Sequence, residues 1–106
     1  MNNIKFVTVA REEFFAEVLH YNTVKKGLGA NFTIAVEKTV VLALELALNF
    51  PNAGFPFASG TRRIAVKGFP IFLVYKPSAN GIVIFAVVNQ SRRSGYWCSR
   101  VEANLP

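Results

Sequence analysis

The sequence predicts an α+β domain of two layers: an N-terminal strand and a helical hairpin packed on a mainly antiparallel sheet, in the order β-α-α-β-β-β. Three observations carry that expectation. Apolar residues recur at helical spacing through the first half of the chain, with one interruption at KKGLGAN. From Arg62 onward the apolar runs are short, β-rich and separated by turn signals. Strands joined by loops that short are antiparallel, and the helices must then cover one face of their sheet. With 106 residues, 52% of them hydrophobic, residues 1–106 are expected to form a single ordered domain with a small core.

Each element has a local reason. Ile4 to Val9 (IKFVTV) is β-rich with partial alternation and reads as the first strand. Thr8 is placed to cap the helix that follows. Glu12 and Glu13 then fall in its first turn, where carboxylates meet the positive end of the helix dipole. Phe14, Val18 and Tyr21 share one face, with Phe15 and Leu19 beside them. Lys25 and Lys26 close the helix, and Gly27 and Gly29 break it. The second helix is expected from about Asn31 to Asn49, with Phe32, Val36, Val40, Ala43 and Ala47 as its stripe. Its C-terminal half, VVLALELAL, is apolar almost all round, so it is buried on more than one side or offers one side to a partner. Pro51 ends the helix, and FPNAGFPFASG reads as a loop.

Three strands follow. Arg62 to Lys67 alternates, with Arg63, Ala65 and Lys67 on one face and Arg62, Ile64 and Val66 on the other. Gly68 turns the chain. Phe69 to Lys76 and Ile82 to Asn89 are apolar on both faces and are expected in the middle of the sheet. Lys76 to Gly81 (KPSANG) is the hairpin loop, with Asn80-Gly81 as its turn signal. The tail, SRRSGYWCSRVEANLP, has room for one short helical turn. The sheet face away from the helices would keep apolar side chains from both central strands, rimmed by Arg and Lys: a groove suited to a partner chain.

Charge narrows the partners. Twelve Lys and Arg against six Asp and Glu give a formal charge of +6 and a pI near 9.9. That suits nucleic acid, a machine bound to nucleic acid, or an acidic protein. Cys98 is the single cysteine, so no intramolecular disulfide forms, which fits a reducing cytosol. The single histidine, His20, is far from Cys98 in sequence and argues against a catalytic thiol. No phosphate loop, HExxH or cluster of metal ligands is present, and neither cofactor nor metal is expected. MNNIKFVTVAREE has no apolar signal core, and Val40 to Leu48 falls far short of the roughly 20 residues of a membrane span.

The acids sit on helices or in the tail and none on the strands, so ordinary acid–base catalysis lacks its usual groups. What remains is cationic: Arg63 and Lys67 on one strand face, Arg62 before them, and Arg92 and Arg93 leaving the last strand, with Tyr96 and Trp97 just behind. Guanidinium groups bind phosphate or carboxylate through paired hydrogen bonds, and Tyr96 or Trp97 would stack on a base. An Arg, Lys and Tyr set would cleave RNA without histidine, with Tyr or Lys moving the proton and Arg holding the phosphorane charge. Solvated strand-end charges, with Trp97 folded onto the core, are the structural alternative.

The pieces TRRIAVKG, FPIFLVYKP, IVIFAVV and SRRSGYW, together with the GLG between helices and the VEKTV helix after it, resemble the RelE/ParE superfamily of toxins from bacterial type II toxin–antitoxin modules, which includes plasmid stabilisation proteins. The resemblance covers nearly the whole chain and leans to the ParE-like branch. It implies a compact cytoplasmic toxin neutralised by an acidic antitoxin, which would cover Val41, Leu44, Leu48, Phe72 and Val74. It also implies one of two targets. ParE-like members block DNA gyrase, through a surface that would here include Arg62, Arg63, Lys67, Arg92, Arg93 and Trp97. RelE-like members cleave mRNA on the ribosome, and Arg63, Lys67, Arg93 and Tyr96 would fill the catalytic places. Many relatives have His where Asn89 stands, and an Asn there cannot act as a general base. A decayed member that keeps only the fold and partner binding is the third reading.

Overall fold

In a computed structural model the chain forms β1 (Asn3–Phe6), α1 (Thr8–Val24), α2 (Leu28–Asn49), β2 (Phe55–Pro56), β3 (Arg62–Ala65), β4 (Ile71–Ser78) and β5 (Gly81–Asn89). The structure describes residues 3–49, 55–56, 61–79 and 81–90. The strands make one mixed sheet in the order β1-β5-β4-β3-β2. Here β1 runs parallel to β5, and every other neighbouring pair is antiparallel. The helices pack against β5, β4 and β3, giving the expected two-layer α+β arrangement.

The first helix starts differently from the sequence reading. Val7, not Thr8, holds the N-cap position, in an extended conformation and without a side-chain cap. Its N–H donates to Ile84 O at 3.0 Å and its carbonyl accepts from Arg11 N–H at 3.0 Å. Val7 is buried, so sheet pairing and packing decide the boundary over the capping preference of Thr8. Glu12 and Glu13 therefore lie in the second turn, beyond the reach of an N-terminal dipole effect.

The helical hairpin turns at Lys25 to Gly27. Lys25 N–H donates to Tyr21 O, and Gly27 takes a positive φ of 87° that favours glycine. Helix α2 then begins at Leu28, earlier than expected, and includes Gly29. That glycine is a contact and not a breaker. Its N–H, one of the first-turn donors with no intrahelical acceptor, donates to Asn22 Oδ1 at 2.9 Å. A Cβ there would sit 2.6 Å from the same oxygen.

The stripe of α2 is buried as its spacing predicts, through Phe32, Val36, Val40 and Ala43. Phe32 centres an aromatic cluster, with Phe14 at 5.9 Å, Tyr21 at 5.0 Å and Phe69 at 5.1 Å between ring centroids. Beneath it β4 and β5 are buried on both faces, as expected of central strands. Their register runs Val74↔Ala86 and then Tyr75↔Ile84, skipping Phe85 on β5, which is a β-bulge.

Several boundaries move. The segment read as a loop contains β2, which pairs Phe55 with Arg63 and Pro56 with Arg62. A proline suits this outermost strand because it has no N–H to leave unpaired. β4 begins at Ile71, since Phe69 N–H turns back to Val66 O across Gly68 (φ 89°). At its far end β4 continues to Ser78, paired with Gly81, so the hairpin loop is two residues and not the whole KPSANG segment. Asn80 itself and the tail, with its expected helical turn, lie outside the described residues.

The glycine contacts make a signed prediction. Gly29→Ala should lower stability by about 1 kcal/mol through loss of the Asn22 bond. In an Asn22→Ala background the same change should be neutral or stabilising, because alanine is the better helix former. Gly81→Ala should cost more than Gly29→Ala, since its Cβ would overlap the backbone carbonyl of Asn3 and not a movable side chain. Chemical denaturation of the four variants checks the order. A destabilising Gly29→Ala in both backgrounds contradicts the contact.

Candidate functional site

Strand register decides which cations share a face. Phe6 is opposite Ile84, and its ring meets Phe14 of α1 at 6.4 Å, so Ile84, Tyr75, Leu73 and Ile64 look toward the helices. Arg63 and Ala65 lie opposite Val74 and Phe72, which in turn lie opposite Ala86 and Val88, all on the other face. There the exposed Arg63 guanidinium carbon stands 5.8 Å from the Phe72 ring centroid, a cation–π contact. A cavity of about 220 Å³ opens beside it, lined among the described residues by Arg63, Ala65, Phe72 and Gln90. Gln90 N–H donates to Pro70 O at 3.1 Å, which holds the exit of β5 against the start of β4 and fixes the cavity wall.

Among the described residues, the expected cations do not share one site. Lys67, expected on the same strand face, instead lies in the turn beyond the end of β3 at Ala65 and lines a different cavity, against α2. Arg62 looks the other way. It is half-buried opposite Tyr75, and its Nη1 donates to Thr61 O at 3.3 Å. Burial pushes the Tyr75 phenol above its ordinary pKa of 10.0, and the Arg62 charge opposes that shift. Arg92, Arg93, Tyr96 and Trp97 lie outside the described residues. His20 is exposed on α1, its ring edge-on to Tyr21 at 5.3 Å, away from the Arg63 cavity.

The open apolar sheet face is a correction. Val74 and Ala86 are fully buried and Val88 is 2% exposed, so these residues are not offered to a partner. Phe72 is half-buried beneath Arg63. Alternation shows that both strand faces are apolar, but not that both are covered. On α2 the exposed apolar positions are Val41 at 51%, Leu42 at 49% and Leu48 at 43%, whereas Leu44 packs half-buried against the core.

One feature escaped the sequence reading. Glu12, Glu13 and Glu17, half of the chain's acids, border a groove of about 200 Å³ with Val87 and Asn89 of β5. β1 stops at Phe6 while β5 runs on, and α1 takes over beside the continuing edge. Glu13 Oε1 accepts from Val87 N–H at 3.2 Å, satisfying a strand donor that β1 does not reach. These acids lie on a helix and not on a strand, as expected, yet Glu13 reaches the backbone of β5. The legible signal was their closeness to the β1–α1 junction. Glu17 also raises the pKa of Tyr21, after the larger effect of burial.

Two outcomes follow from these contacts. Glu13→Ala should cost about 1–2 kcal/mol and speed hydrogen exchange at Val87, and Glu13→Gln, which keeps an acceptor oxygen, should recover most of it. Equal loss in both variants, with Val87 still protected, contradicts the bond. Tyr21 and Tyr75 are held protonated by the fold, so the unfolded chain loses these protons first as pH rises past 10.0. Stability should be level with respect to these groups below that value and fall above it. Tyr75→Phe should flatten the alkaline limb of a stability–pH curve, and an unchanged limb would refute the assignment.

No family model and no curated protein matches the chain. A search of solved structures finds a chain from "Chromosomal ParDE TA system from P. aeruginosa", at 18% identity and a TM-score of 0.59, covering 84% of this chain and 96% of that one. The likeness is one of fold, and it spans almost the full length of the matched chain. The chain described here therefore shares the two-layer α+β fold of a chain from a ParDE system.

Proposed function

We propose that the chain is the toxin of a type II toxin–antitoxin pair, and that it inhibits DNA gyrase in the ParE manner without cleaving RNA. The observation that carries the class is the match in fold to a chain of a ParDE toxin–antitoxin system, together with family-like motifs in the same strands.

Site chemistry favours the mechanism. Among the described residues the Arg63 cavity offers a guanidinium, an amide and an aromatic ring, none of which moves a proton near neutral pH. Asn89 is likewise an amide, half-buried by the acidic groove. A guanidinium seated on an aromatic ring is well suited to pairing with a carboxylate or phosphate of a target surface. Ribosome-dependent cleavage is the second reading. It would need Lys67, Arg93 and Tyr96 to act with Arg63 although Lys67 lines a separate cavity. A member that keeps only the fold and partner binding is the third. In each reading the partner is an acidic antitoxin that folds over the exposed apolar side of α2, through Val41 and Leu48.

Supercoiling by gyrase and mRNA cleavage on translating ribosomes should be measured with one preparation. Inhibited supercoiling without mRNA cuts is expected, with Arg63→Ala weakening inhibition by about tenfold. Discrete mRNA cuts that vanish in Lys67→Ala or Arg93→Ala would establish the nuclease instead.

A further inference from the structure

A further groove opens between α1 and α2, beside the end of β1. It measures about 300 Å³, and Phe6, Phe14, Phe15, Val36 and Val40 form its apolar lining. Phe14 ties that lining to the core, its ring centroid 5.9 Å from that of Phe32 and 5.4 Å from that of Phe15. Phe15 is more than half exposed, and so is Leu19, one helical turn farther along α1. Two groups of opposite charge stand on the same groove, Arg11 from α1 and Glu37 from α2, both exposed. Among the described residues they form no ion pair with each other or with any other group. Val41 and Leu48, assigned above to the antitoxin, are not among the lining residues.

We propose that this groove is a homodimer surface, in which two copies of the chain pack Phe15 and Leu19 together about a two-fold axis while Arg11 of each meets Glu37 of the other. Charge complementarity selects the occupant. A two-fold axis makes every contact reciprocal, so a patch that holds one Arg and one Glu completes both pairs with its own copy. An acidic segment would meet Arg11 but bring like charge to Glu37, and a basic one would do the reverse. A small apolar molecule would fill the floor and use neither charge. The exposed Phe15 and Leu19 supply apolar area to remove from water, and the charge pairs fix the orientation. Net charge opposes association, since each copy carries +6. At physiological salt the Debye length is about 8 Å, so that long-range repulsion is screened while contact pairs persist. The dimer is therefore weak, with a Kd on the order of 10–100 μM. The inference stands on this groove and does not depend on the toxin reading.

Sedimentation equilibrium of the full chain at physiological salt, over a series of loading concentrations, tests the proposal. A monomer–dimer equilibrium is expected. Arg11→Glu and Glu37→Arg should each weaken it by about tenfold or more, because each sets two like-charge contacts across the axis. The first lowers the net charge and the second raises it, so an effect of net charge alone would move the two in opposite directions. Mixed in equal amounts, the two variants should form a heterodimer, since one copy then offers two acids and the other two arginines. Leu19→Asn, at an exposed helical site, should weaken the dimer by about tenfold with an unchanged circular dichroism spectrum. A chain that stays monomeric up to about 1 mM would overturn the proposal. So would a dimer that survives Leu19→Asn or either single reversal, or a mixture of the two folded reversal variants that stays monomeric. If the chain is monomeric and an acidic Glu and Leu peptide shifts the amides of Phe15 and Val40, the groove belongs to a partner segment instead.

Discussion

The pairing of β4 with β5 is the constraint on which the rest of the molecule depends. Both strands are buried on both faces, so neither has a polar side to fix its register by solvation. That freedom lets β5 absorb an extra residue at Phe85 without turning a polar group inward. Before the bulge, β5 receives β1 on its edge from Gly81 to Ile84. Beyond it, the carboxylate of Glu13 takes over at Val87. The start of α1, the approach of the helical hairpin and the position of Asn89 all follow from where β1 stops.

The same frame separates the charges. Alternation along β3 sends Arg63 to the face away from the helices and Arg62 toward them, beside Tyr75. Three of six acids gather on α1 at one side of the sheet, while Arg63 and Lys67 border cavities on the β3 side. A net charge of +6 is thus an uneven surface and not a uniform one. Strong local fields of one sign raise encounter rates with charged partners, a property that the proposed toxin would use.

Much of the fold was legible because periodicity reports burial directly. The stripe of Phe32, Val36, Val40 and Ala43, the central place of the last two strands and the alternation about Ile64 all rest on such patterns. Misplaced boundaries have another origin, in contacts between elements. Gly29 reads as a helix breaker until Asn22 is known to face it, and Thr8 reads as a cap until Val7 is known to pair with Ile84. The site was less legible. Sequence spacing put Arg63 and Lys67 on one face, but it could not reveal that β3 ends at Ala65 and that the two cations line different cavities. Nor could it show that the apolar face around Val74 is covered, since an alternating strand looks the same whether its second face is packed or open.

We propose that this fold carries a growth-arresting toxin, a claim that induced expression in bacteria tests most directly. Growth should stop on induction of the chain alone and resume when the neighbouring gene's product is co-expressed. Undiminished growth while soluble, folded chain accumulates would contradict the claim and leave a domain that has kept the fold without the activity.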